Sequence, residues 1–171
     1  MNARLPGDVR VLRAEEARDG FHARSSARAK EYRYRIDGAE VTSPFIGPFV
    51  WSVRGALDIE ALGRAAAALV GRHDFTSFCR ADCELDDRVR TLRRSEIRRE
   101  DGEIVYVVEG DGFLRHMVRT IVGTLVEVGR GRRAPEAMGD VLRARDRRAA
   151  GVCAPASGLA LARVEYGEEE R

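Results

Sequence analysis

The chain has almost no lysine, few cysteines and no long apolar run, and each shortage narrows what it can be. Lys30 is the only lysine among 30 basic residues, which leaves 29 arginines. GC-rich coding accounts for a bulk excess of arginine, so only the placement of particular arginines speaks for RNA. A well-placed guanidinium suits bidentate phosphate recognition and stacking on bases. The three cysteines, Cys79, Cys83 and Cys153, are odd in number and include no CxxC pair. That pattern argues against a disulfide framework and a structural zinc site, and Cys79, Cys83 and His73 lack usual ligand spacing. Free thiols in a reducing cytosol fit better. No stretch is long and apolar enough to span a bilayer, and the N-terminus lacks a signal-peptide core. The expectation is a soluble cytoplasmic protein whose 171 residues suit a single domain. Net charge is only +2 and by itself indicates no partner.

What is present falls into a few elements. Residues 1–20 read as partly linker-like, with a short strand over Asp8–Arg13. From Ala27 to Ile36, small or aromatic residues alternate with Arg, Lys and Glu, so a strand is predicted with Tyr32, Tyr34 and Ile36 on one face. Patterning alone makes Tyr32 a core aromatic with a bonded hydroxyl. Trp51 and Val53 suggest another short strand, and Leu57–Val70 an amphipathic helix closed by Gly71. His73 reads as a structural hydrogen-bonding residue, because no second titrating group sits beside it. Arg80–Arg90 is a charged loop. Asp101-Gly102 joins strands over Thr91–Glu100 and Glu103–Gly110 into a hairpin, and the second strand is apolar on both faces, as a central strand is. A helix over Pro135–Arg145, a strand over Gly158–Tyr166 and an acidic tail over 167–171 complete the chain.

The most informative stretch is Asp111–Gly129. Met117, Val118, Ile121, Val122, Leu125 and Val128 recur at three- and four-residue steps, predicting a helix with a broad buried face. Asp111 is its expected N-cap, and Gly129 and Gly131 are its stop signals. Arg115 and Arg119 would then share one side near the helix start, opposing the macrodipole by some tenths to about 1 kcal/mol each. Arginines there need an anionic partner, a carboxylate or a phosphate. Gly123, one turn on, leaves that side bare for a backbone or a ligand.

The run Phe-Leu-Arg-His-Met-Val-Arg-Thr-Ile-Val-Gly-Thr-Leu-Val-Glu-Val-Gly-Arg-Gly, residues 113–131, closely resembles a signature of the bacterial tRNA pseudouridine synthase A family. His73-Asp74-Phe75-Thr76-Ser77-Phe78 and Phe21-His22-Ala23-Arg24 also resemble it, although Ser25 stands where the family has a phenylalanine. The likeness covers nearly the whole chain but only the second half of the family's usual length, and residues 2–9 resemble the family's internal connecting segment. The resemblance implies a mixed α/β (α+β) fold, with a mainly antiparallel sheet of about five strands flanked by about three helices. It implies isomerisation of uridine to pseudouridine in the tRNA anticodon stem-loop (positions 38–40), without metal or redox cofactor. Arg119 matches the arginine that pairs with the family's nucleophilic aspartate. Tyr32 matches the tyrosine that contacts the target base, reversing the packing reading. Leu159 matches a leucine packed near the catalytic pocket. Arg24, Arg28, Arg115 and His116 are the expected RNA contacts. Family members are usually homodimers, and an apolar helix left without its missing half would expose surface that favours association.

The family's Gly-Arg-Thr-Asp-Ala-Gly string, which carries the aspartate, is absent from these residues. None of Asp8, Asp74, Asp82, Asp86 or Asp146 has comparable surroundings. The expectation is therefore a chain inactive alone, with the N-terminal half supplied in the same polypeptide of a longer gene or in trans. The alternative is a non-catalytic RNA-binding or dimerisation domain derived from the family.

Overall fold

A computed structural model describes residues 1–80 and 86–167 of the chain. The earliest regular strand is β1 (Ala27–Asp37), followed by β2 (Trp51–Ser52), helix α1 (Ile59–Ala67) and β3 (Gly71–Asp74). Then come β4 (Val89–Glu100), β5 (Glu103–Gly110), α2 (Met117–Gly129), α3 (Ala137–Ala144) and β6 (Leu159–Tyr166). The strands form one sheet in the order β2-β1-β5-β4-β3, with β6 also paired to β1. Because β5 takes one edge of β1, β6 and β2 share the other, β6 along Ala27–Tyr34 and β2 at Ile36 and Asp37. Only the two-residue β1–β2 pairing is parallel. This is the mixed fold the sequence implied, with six strands rather than about five.

The central hairpin follows from its turn. Asp101 and Gly102 both have positive φ, 50° and 85°, the backbone of a type I′ turn, which sets Glu100 opposite Glu103. β5 is buried along nearly its whole length, as its two apolar faces require. Residues 8–13 form no strand. Instead the Asn2 side chain bonds both the N–H and the C=O of Val11, at 2.8 and 2.9 Å, and Leu12 stays almost fully exposed. The extra strand is β3, in a stretch read only as a motif. α1 is shorter than Leu57–Val70: Asp58 caps it by accepting from the Ala61 N–H at 2.9 Å. α3 begins at Ala137, two residues after Pro135.

The N-terminus of α2 also differs. Asp111 does not cap it; its Oδ1 accepts from the Thr91 N–H at 3.0 Å and closes the β4–β5 ladder. The chain turns through residues 112–116, and His116, left-handed at φ 62°, precedes the first helical residue. Arg115 therefore sits in the turn and not one helical turn before Arg119 on a shared face. Within α2 only Arg119 and Glu127 escape burial. A helix apolar on nearly all sides must be wrapped, and here the sheet, α1 and the 150–154 segment wrap it. The expected exposed apolar surface is therefore not on α2. A Cβ on Gly129 would meet Leu62 at 3.1 Å, and one on Gly123 would overlap the Val152 carbonyl oxygen.

α1 and α2 cover one face of the sheet, over a core that includes Tyr34, Ile36, Leu62, Tyr106, Ile121 and Leu125. The other face carries paired charges. Arg35 meets both Glu103 oxygens at 2.6 Å, Arg33 bonds Glu31 at 3.0 Å, and Arg94 bonds Glu31 as well. Val107 and Val105, the register partners of Arg33 and Arg35, are 0% and 3% exposed. Burial on its own would raise the Glu31 carboxyl, but hydrogen bonds and charge from Arg33 and Arg94 outweigh it and hold it below the ordinary glutamate range.

Candidate active site

Four segments converge on a cavity of about 520 Å³. β1 contributes Tyr32, and the turn before it contributes Arg24. The segment after β5 and the first turn of α2 contribute Phe113 through Arg119, and the start of β6 contributes Leu159 beside Ala156. Tyr32 and Phe113 pack edge to face, with centroids 5.0 Å apart at 78°. With Met117 and Leu159 they give the cavity a largely apolar wall against which an unstacked base can pack.

Arg119 is held by one residue across the loop. Its Nε donates to the Ala154 carbonyl at 2.6 Å, while its own carbonyl accepts from the Ala154 N–H at 3.1 Å. Ala154 is fully buried, and the loop bearing it is pinned to α2 by the Gly151 N–H donating to Thr124 Oγ1 at 2.9 Å. Gly123 permits this docking, because the Val152 carbonyl occupies the space where a Cβ would lie. Glycine 158 has a similar role at the start of β6: a Cβ there would come within 2.7 Å of the Arg35 carbonyl and the Tyr34 ring. Tyr34, behind Tyr32, donates its hydroxyl to the Pro155 carbonyl at 2.7 Å. Burial pushes its phenol well up, and the nearby Arg119 charge opposes this only in part.

The remaining valences of the Arg119 guanidinium are the chemical point. Among the described residues no carboxylate pairs with it, and no Asp or Glu lines the cavity, which also holds Arg24 and Arg115. Three guanidinium groups around an apolar slot favour an anion. Arg24 is placed by His22, whose Nδ1 accepts from the N–H groups of Arg24 and Ser25, each at 3.2 Å. His116 lines the rim with its Nδ1 3.7 Å from the Cys153 sulfur. Of the residues singled out from sequence, Arg24, Tyr32, Arg115, His116, Arg119 and Leu159 are brought together. Arg28 is not: it lies against Gly167 at the end of β6. Phe113 and the Ala154 carbonyl were not singled out. An aromatic directly before the arginine-bearing turn was the available signal for the first; nothing in the sequence marks the second.

Against this geometry the comparisons with known proteins are specific. A family model described as tRNA pseudouridine synthase matches residues 65–167. The chain belongs to the tRNA pseudouridine synthase family. It is 46% identical over 159 residues to tRNA pseudouridine synthase A of Halalkalibacterium halodurans, covering 93% of this chain and 60% of that relative. To the protein of the same name from Geobacillus kaustophilus it is 45% identical over 169 residues, covering 99% and 66% respectively. The Myxococcus xanthus relative is 44% identical over 167 residues, covering 97% and 63%. The chain thus spans between three fifths and two thirds of the length of these family members. No group of three or more His, Cys, Asp or Glu among the described residues could hold a metal, and Cys83 lies outside them. No helix among them is long and apolar enough to cross a membrane. His73 Nε2 lies 3.0 Å from the Val70 carbonyl, away from the cavity. The charged 80–90 stretch lies partly, and the acidic tail almost wholly, outside the described residues.

Proposed function

We propose that these residues form one wall of the active site of a tRNA pseudouridine synthase acting on uridines 38–40 of the anticodon stem-loop. In that reaction the N1–C1′ glycosidic bond breaks, the uracil turns, a C5–C1′ bond forms, and C5 gives up its proton as N1 gains one. The observation that carries this reading is the Arg119 guanidinium, held by Ala154 at the cavity of Tyr32 with no carboxylate partner among the described residues. An aspartate from outside these 171 residues fits there, ionised and oriented by Arg119, to attack the sugar or assist elimination. Tyr32 contacts the extruded base and Leu159 packs beneath it, while Arg24, Arg115 and His116 meet flanking RNA. The protein works in the cytoplasm as a homodimer, with the Gly-Arg-Thr-Asp-Ala-Gly segment supplied in one longer polypeptide or in trans.

The test uses undermodified tRNA. The 171-residue chain alone is expected to release no pseudouridine. A second polypeptide bearing the aspartate motif should restore turnover, and Arg119→Ala should lower the restored rate by about 10²–10³, as loss of a charge-stabilising donor does. Robust turnover by the chain alone, or tRNA binding that never leads to product with the second polypeptide present, overturns the proposal. The latter outcome would instead mark a non-catalytic RNA-binding domain.

A further inference from the structure

Tyr32 and Tyr34 lie on the same face of β1, and the chain fixes them differently. Tyr34 is anchored at its tip, where its hydroxyl donates to the Pro155 carbonyl at 2.7 Å, and Trp51 meets its ring edge to face at 6.4 Å. The Tyr32 hydroxyl has no hydrogen-bond partner among the described residues. The torsion that sets the plane of a tyrosine ring has broad wells, so a ring free at its tip takes its plane from whatever touches it.

Few groups can set that plane for Tyr32. On the β6 side the pairing slips between Glu31 and Tyr32, passing over Ala162 and putting Leu161 opposite the tyrosine. Such a bulge interrupts the ladder beside the side chain, and Leu161 is itself 51% exposed. On the β5 side the partner is the buried Val108. The one aromatic ring against Tyr32 among the described residues is Phe113, 5.0 Å away at 78°. Phe113 has a firm mount. Asp111, two residues before it, exchanges two hydrogen bonds with the Thr91 backbone, at 3.0 and 3.1 Å. Leu114, directly after it, is buried in the core and its carbonyl accepts from the Met117 N–H at 3.1 Å.

We propose that Phe113 is a positioning residue, whose ring fixes the plane of the Tyr32 ring and so the place at which the Tyr32 hydroxyl meets the target base. This rests on the pseudouridine synthase reading above, in which Tyr32 touches that base. The edge-to-face contact is lost with an aliphatic side chain at Phe113 and kept with another aromatic one.

Two measurements test it. The first takes the 171-residue chain alone and follows carbon relaxation of ring-labelled tyrosine, with Tyr32→Phe assigning the signal. Phe113→Leu is expected to lower the order parameter of the Tyr32 ring, Phe113→Tyr to preserve it, and Tyr34 to stay rigid in both, which also reports an intact core. The second takes the chain together with the aspartate-bearing polypeptide and undermodified tRNA. Phe113→Leu should lower kcat about fivefold with KM held within about twofold, and Phe113→Tyr should recover the rate. In a Tyr32→Phe background the same Phe113→Leu change should cost nothing further, because the two side chains act through one another. A Tyr32 ring as rigid in Phe113→Leu as in wild type overturns the proposal. So does a rise in KM at unchanged kcat, which would make Phe113 an RNA contact in its own right, or an equal loss of kcat with and without the Tyr32 hydroxyl. No turnover by the wild-type pair defeats the enzymatic reading instead, and the relaxation measurement on the chain alone then still decides whether Phe113 holds the ring.

Discussion

The two faces of the sheet use arginine in opposite ways. On the face opposite α1 and α2, Arg33, Arg35 and Arg94 each meet a glutamate of a neighbouring position or strand. Their charge is spent inside the chain. In the cavity at the other face, Arg119 is aimed by a single backbone carbonyl and has no carboxylate among the described residues. The residue type and half-buried setting are similar; the partner differs. An arginine paired with glutamate has its charge matched within the chain, whereas one held by a carbonyl keeps donors available to another acceptor.

The difference is open to several measurements. The largest effect is expected at the hinge of the cavity. Gly123→Ala sets a methyl against the Val152 carbonyl, and urea unfolding should show a loss of about 3 kcal/mol or more, with the Ala154 clamp on Arg119 displaced. Next comes Glu31→Ala on the face opposite α1 and α2, a change that strips Arg33 and Arg94 of their shared acceptor and should cost about 2 kcal/mol. The same glutamate makes stability acid-sensitive. Its folded value lies below the ordinary 4.5, so its contribution is complete above that pH and is lost as pH falls through the lower folded value. Melting temperatures of Glu31→Gln should therefore fall less steeply than wild type below about pH 4.5. Smallest in stability is Arg119→Gln, expected at about 1 kcal/mol for the lost Ala154 bond, yet it should weaken tRNA binding markedly. If Arg119→Gln costs as much stability as Glu31→Ala, the two faces do not differ in the way described.

Much of this was legible in local signals. The Asp101-Gly102 turn, the two-faced apolar β5 and the periodic α2 each announce themselves because turn chemistry and side-chain period are short-range properties. Gly123 could be read as a close approach, though not what would approach it; the 150–154 segment lies some thirty residues on in sequence. The start of α2 was misplaced, since Asp111 looks like a cap until the Thr91 N–H on the neighbouring strand claims it. Residues 8–13 alternate like a strand, but no sheet edge takes them and Asn2 satisfies Val11 instead.

By itself the sequence determined most of the elements and the family likeness, because motifs and periods are written within a dozen or so residues. Only the tertiary structure decided that Arg119 is held by Ala154 and that Phe113 packs edge to face on Tyr32. Those facts depend on which distant backbone groups meet, and that is settled by the packing of loops on α2, where a missing Cβ at Gly123 lets one carbonyl in.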